Sequence, residues 1–280
     1  MVSTNPKFFH LHLISDATGE TLTAIAKAIT VQYPETKAIE HIHPLVRTKS
    51  HLSRICQLIK TQPGIVMHTL INKDLAREID RFCVDQNLPS ISILDPITEV
   101  FDTYLGASPQ PTVGGQHSLN ADYFNRIDAL KFTVRHDDGQ LPENLDDADI
   151  LIIGISRTSK TPTSIYLANR GYKTANLPLV PILPLPDSLE KPNKTFIVGL
   201  IASADRIAQV RRHRVIELAD KDADKNLEDY VDRESIAQEI AYTRRLCGRH
   251  DWPIIDVTRR SIEETAAAII TLYNNHHKKI

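Results

Sequence analysis

The sequence predicts an α/β protein made of two parallel-sheet domains. Three observations carry this: strand-length apolar runs alternate with helically spaced segments, a Pro-, Gly- and Ser-dense stretch interrupts them, and a second alternating series follows. The 280 residues suffice for one large or two medium domains.

Residues 8–14 are apolar and strand-like, and 20–32 carry apolar side chains at helical spacing. A second strand over 38–44 precedes a helix over 48–60, and a third over 64–70 precedes a helix over 73–86. A fourth strand over 90–94 is expected to stop at Asp95-Pro96, with a helix following towards Tyr104. Such regular alternation requires crossover helices and hence a parallel sheet.

Residues 106–118 read GASPQPTVGGQHS, which is loop chemistry. The expected organisation is an N-terminal α/β domain over 1–110, then a linker, a helix near 120–130 and an acidic loop within 111–147. A second domain follows over 148–280. It opens on the clearest buried strand, 149–154, followed by a helix over 160–169. Further strands are expected at 173–177, 196–201 and 254–257. The last helix begins with Ser261-Ile262-Glu263-Glu264, a capping box in which Ser and Glu satisfy one another's backbone amides.

Bulk composition narrows the function classes. Lys plus Arg number 33 against 35 Asp plus Glu, so no whole-molecule grip on nucleic acid or anionic lipid is expected. The apolar runs are too short to cross a bilayer. Cys56, Cys83 and Cys247 lack metal-finger spacing and read as reduced thiols. The expectation is a cytoplasmic protein with neither nucleic acid nor membrane as partner; a homodimer is compatible with the sequence.

The central motif is Gly154, Ile155, Ser156, Arg157, Thr158, Ser159, Lys160 and Thr161, set between a strand and a helix. A Walker A loop reads Gly-x-x-x-x-Gly-Lys-Ser/Thr in that context. Its amides wrap phosphate oxygens, and the helix N-terminus adds aligned dipoles. Lys160 would reach the terminal phosphates, and the Thr161 hydroxyl would ligate Mg2+. Ser159 stands where the second Gly belongs. The second domain is therefore expected to be P-loop kinase-like, unless the segment is a plain strand-to-helix turn with an exposed lysine.

The loop and its extension over 154–164 resemble the regulatory proteins of pyruvate, phosphate dikinase and phosphoenolpyruvate synthase. Three further segments are similar to that family: ISDATGETL at 14–22, His136-Asp137-Asp138-Gly139, and IDVT at 255–258 with IEETA at 262–266. The resemblance covers nearly the whole chain in one order. It implies an ADP-dependent kinase that inactivates its target by phosphorylating a threonine. It also implies a pyrophosphorylase that uses inorganic phosphate to remove that phosphoryl group. The loop and residues 175–181 resemble the dikinase-directed branch, so pyruvate, phosphate dikinase is the expected partner and phosphoenolpyruvate synthase the alternative. A small-metabolite kinase and a non-catalytic nucleotide sensor are the rival classes.

Phosphoryl transfer to a hydroxyl needs a carboxylate to take its proton. Asp138 is the candidate, with Asp137 beside it and Arg135 close enough to steer phosphate; a solvated Asp-Asp-Gly turn is the plain alternative. Asp256, at a strand end, is the second metal candidate with Thr161, or a turn cap. Asp16, Thr18 and Gly19 follow the first strand, where open sheets bind ligands, or they cap a helix. Arg206, Arg211, Arg212 and Arg214 form a basic cluster on one helix, a solvated face unless it closes over phosphates. His41 and His43 share one strand face and suit a structural role.

Overall fold

The computed structural model describes residues 7–107, 110, 112–115, 121–142, 145–181, 183–190, 194–218 and 232–278. They belong to two compact units, residues 1–118 and 119–280. Each is an α/β sheet of four parallel strands, with the second strand outside the first.

The first unit runs β1 (Lys7–Ile14), α1 (Glu20–Thr30), β2 (Thr36–His43), α2 (Lys49–Thr61), β3 (Gly64–His68), α3 (Lys73–Asp85), β4 (Ser90–Ser92) and α4 (Leu94–Leu105). Its sheet order is β2-β1-β3-β4. Alternate residues of β1 feed opposite faces, as a strand buried on both sides requires. Ile14 joins Val46, Leu52 and Ile79 on one face. Leu11 and Leu13 join Leu22 and Ala26 of α1 on the other. The fourth strand is shorter than expected: Asp95-Pro96 lies inside the first turn of α4 rather than after a strand. Proline fits there because first-turn amides have no helical partner to lose.

The second unit runs α5 (Ala121–Arg135), β5 (Ile150–Gly154), α6 (Lys160–Ala168), β6 (Thr174–Pro178), a one-turn α7 (Asp187–Glu190), β7 (Phe196–Ile201), α8 (Ala204–Leu218), α9 (Arg233–Arg249), β8 (Ile254–Asp256) and α10 (Ile262–His277). Its order is β6-β5-β7-β8. All of β5 and β7 are buried, which explains their unbroken apolar runs. The capping box forms: Ser261 Oγ accepts from Glu264 N at 3.1 Å, and the Glu264 carboxylate accepts from Ser261 N at 2.8 Å. Helix α5 extends to Arg135, further than the sequence suggests. Helix α9 was not anticipated, although Asp232 caps it and Ile236, Thr243, Leu246 and Cys247 form its buried stripe.

Candidate functional site

The loop after β5 is bent by its own residues. Gly154 has φ 153°, and a Cβ there would stand 2.4 Å from the Leu200 carbonyl oxygen of β7, so only glycine fits. The Gly154 carbonyl accepts from Leu179 N at 2.9 Å, tying the loop to the exit of β6. Arg157 and Ser159 adopt left-handed backbone, at φ 72° and 59°. Ser159 thus keeps the geometry that glycine would supply at that position. It precedes α6 without a side-chain cap, so it leaves the first helix amides to other acceptors.

Lys160 is 6% exposed, and its Nζ donates to the Ile155 carbonyl at 3.0 Å. Burial pushes it down to about 8, against the pull of Asp138 and Asp137, with Arg157 and Arg211 adding to the drop. Thr158 is buried and also donates to the Ile155 carbonyl, at 2.9 Å. Ser156 is half-buried, and Arg157 and Ser159 are exposed at the crest. One turn of chain therefore carries a buried amine, a helix N-terminus and a hydroxyl.

The acidic loop meets this turn. Thr161 Oγ1 donates to Asp137 Oδ1 at 2.8 Å. Asn176 of β6, 1% exposed, makes the junction. Its amide nitrogen donates to the same Asp137 oxygen and to Ser164 Oγ at 3.3 Å, while its side-chain oxygen accepts from Asp138 N at 3.1 Å. Its backbone continues the contact, donating to His136 O at 3.1 Å and accepting from Gly139 N at 2.9 Å. Asp138 is exposed at φ 50°, a left-handed turn that asparagine and aspartate tolerate. The structure thus brings Asp137, Asp138, Lys160 and Thr161 together. Sequence reading missed Asn176, whose amide is bonded both to the acidic loop and to Ser164 of α6.

The remaining candidates lie differently. Arg135 is exposed at the end of α5. Asp256 ends β8, two strands from β5 and so roughly 10 Å across the sheet. Its Oδ1 accepts from Thr258 N at 2.9 Å and from Thr258 Oγ1, a turn cap. Of the arginine cluster, Arg211 is buried in an ion pair with Glu239, Arg206 and Arg212 are exposed, and the Arg214 side chain falls outside the described residues. In the first unit, Asp16 is 2% exposed and its Oδ2 accepts from Ile71 N at 2.7 Å. His41 and His43 are joined by His10 and His12 of β1: His10 pairs with His41 at 2.9 Å, and His12 with His43 at 3.3 Å.

Mg2+ takes hard oxygen donors, usually one or two carboxylates plus phosphate and water. The Asp137 carboxylate and Thr161 hydroxyl, already 2.8 Å apart, fit that donor set. No group of three or more His, Cys, Asp or Glu side chains among the described residues is arranged to hold a metal.

A parallel-sheet unit with a lysine-bearing turn at the end of a central strand, and carboxylates against it, defines an α/β enzyme of phosphoryl-group chemistry. The chain belongs to the kinase/pyrophosphorylase family, whose model matches residues 11–270. It is a phosphotransferase of that family. A protein of a Chelativorans species is 57% identical over 265 residues, covering 95% of this chain and 96% of its own. One from Brucella melitensis is 54% identical over 272 residues, covering 97% and 96%. One from Afipia carboxidovorans is 50% identical over 281 residues, covering 100% and 99%. All three carry the provisional name of pyruvate, phosphate dikinase regulatory protein. No described helix is long and apolar enough to cross a membrane.

Proposed function

We propose that this chain regulates pyruvate, phosphate dikinase in the cytoplasm by reversible threonine phosphorylation, with ADP as donor and inorganic phosphate as acceptor in the reverse direction. The observation that carries the reading is the Asp137–Thr161 contact beside buried Lys160, which joins a phosphate-binding turn to a pair of carboxylates. The shared name of three near-full-length relatives supports the target.

In the forward direction, the amides at the start of α6 and the Lys160 ammonium hold the ADP phosphates. Thr161 and Asp137, rather than Asp256, would hold Mg2+, which would neutralise phosphate charge when bound. Asp138, exposed beside them, takes the proton of the threonine hydroxyl. That oxygen bonds to the β-phosphorus as the bond to the α-phosphate oxygen breaks, and AMP leaves. In the reverse direction an oxygen of inorganic phosphate attacks the phosphothreonine phosphorus. The bond to the threonine oxygen breaks, a proton returns to it, and pyrophosphate leaves. Arg135 is left to steer incoming phosphate.

The test mixes phosphohistidine-bearing dikinase with this protein, Mg2+ and either ADP or ATP, and reads the target by mass spectrometry. A phosphothreonine formed with ADP, and lost as pyrophosphate when phosphate is added, is the expected result. No modification with either nucleotide overturns the dikinase assignment. Asp138→Asn should bind ADP normally while transfer falls about 10²–10⁴-fold; normal turnover would remove Asp138 as the base.

A further inference from the structure

Strand β6 is an edge of the second sheet, and an edge strand presents backbone groups that no neighbouring strand satisfies. The end of α5 and the acidic loop take up those groups. Thr174 N donates to Thr133 Oγ1 at 3.1 Å, Asn176 N donates to the His136 carbonyl at 3.1 Å, and the Asn176 carbonyl accepts from Gly139 N at 2.9 Å. Asp137 and Asp138 lie between the last two of these anchors. Whatever fixes His136 and Gly139 therefore sets where both carboxylates stand.

The His136 anchor has a second hold, through its side chain. Nδ1 lies 2.8 Å from the Phe132 carbonyl, and because a carbonyl only accepts, Nδ1 carries the proton and donates it. The same oxygen accepts from His136 N at 3.1 Å, so both donors meet one carbonyl at the open end of α5. The imidazole also lies against the Phe132 ring, with centroids 4.1 Å apart. Phe132 in turn packs on the core that contains Leu151, Ala175 and Leu177. Directly after this clamp the chain turns left-handed, at φ 50° for Asp138 and 94° for Gly139. A non-glycine residue keeps such a conformation only where its surroundings hold it.

We propose that the His136 imidazole is a positioning residue for both directions of transfer. By clamping the end of α5 it keeps the acidic loop on β6, with Asp137 against Thr161 and Asp138 free to exchange a proton. The proposal rests on the kinase/pyrophosphorylase reading above. His136 acts through the two aspartates and passes no proton itself. Because the same carboxylates serve both directions, loosening the clamp slows both. The nucleotide phosphates are held by the turn after β5, so their affinity is spared.

The test uses three variants and phosphohistidine-bearing dikinase as substrate. His136→Ala removes donor and ring, His136→Asn keeps an N–H donor near the Nδ1 position, and His136→Phe keeps a ring without the donor. For His136→Ala, kcat should fall about tenfold in both directions, while the dikinase KM and ADP affinity by calorimetry stay within about twofold. His136→Asn should restore kcat to within about threefold of wild type, and His136→Phe should not. If His136→Ala folds poorly, the contrast between the other two carries the test. Unchanged kcat in His136→Ala overturns the proposal, as does a loss in one direction only. A loss that asparagine does not restore better than phenylalanine also overturns it and leaves His136 a packing residue at a helix end. A wild-type protein that modifies no protein substrate overturns the kinase reading itself, whereas an active wild type matched by His136→Ala overturns the positioning role alone.

Discussion

The two units use one sheet order for opposite electrostatics. In each, the first strand lies inside the second and ends in a turn whose last residue is left-handed, Gly19 at φ 83° before α1 and Ser159 at φ 59° before α6. Neither residue caps its helix with a side chain. Both turns thus sit where parallel sheets bind ligands. Yet the buried charge in the first turn is the Asp16 carboxylate, and in the second it is the Lys160 amine. A carboxylate disfavours phosphate where an ammonium attracts it, so topology provides the place and side chains decide the ligand.

The most severe test of that contrast exchanges charge for methyl in each turn. Lys160→Ala should lower nucleotide-dependent transfer about 10³-fold, with weakened ADP binding by calorimetry. Asp16→Ala should leave ADP affinity unchanged and cost about 1–3 kcal/mol in urea unfolding, because Ile71 N–H loses its buried acceptor. Equal losses of affinity in the two variants would erase the distinction.

A smaller effect sharpens it. Asn176→Ala removes the amide that holds both acidic residues against α6, a link with no counterpart at Asp16. Transfer should fall about 10–100-fold with a lesser change in ADP affinity. An equal loss of binding and turnover would mean that Asn176 serves the cradle rather than the carboxylates.

The mildest comparison is pH. Burial holds His43 down to about 4 and lowers His12 and His41 as well, with neighbouring imidazoles adding to each drop. Such a base takes its proton more readily once unfolded, so the first unit should lose stability as pH falls from 6.5 through about 4. Trp252, the chain's one tryptophan, reports on the second unit, and its fluorescence should hold while far-UV circular dichroism already declines. At the other end Lys160, lowered to about 8, makes the unliganded fold gain stability as pH rises from about 8 towards 10.5. ADP affinity should fall over the same rise, by up to about tenfold per pH unit, because the neutral amine no longer pairs with phosphate. Affinity flat to pH 10 would contradict a phosphate-holding role for Lys160.

What the sequence made legible was whatever is encoded within a few neighbours. The β5 run, the Gly154–Lys160–Thr161 spacing and the Ser261–Glu264 box each concern residues within one element and its adjoining turn, and each appears where expected. The Asn176–Asp137 link spans 39 positions, and nothing in the local pattern around Asn176 separates it from any polar strand residue. His10 and His12 were invisible as partners of His41 and His43 because strand register, not spacing, places His12 opposite His41. Helix α9 is a different failure: its cap and buried stripe were present in the sequence, but dense Glu and Arg obscured the period.

Leu200 on one side and Leu179 on the other grip Gly154, while Ser164 and Asn176 hold the far end near α6. The turn between them is a socket already cast before any guest arrives. A ligand seated in the turn would thus spend its binding free energy on contacts rather than on ordering the receptor.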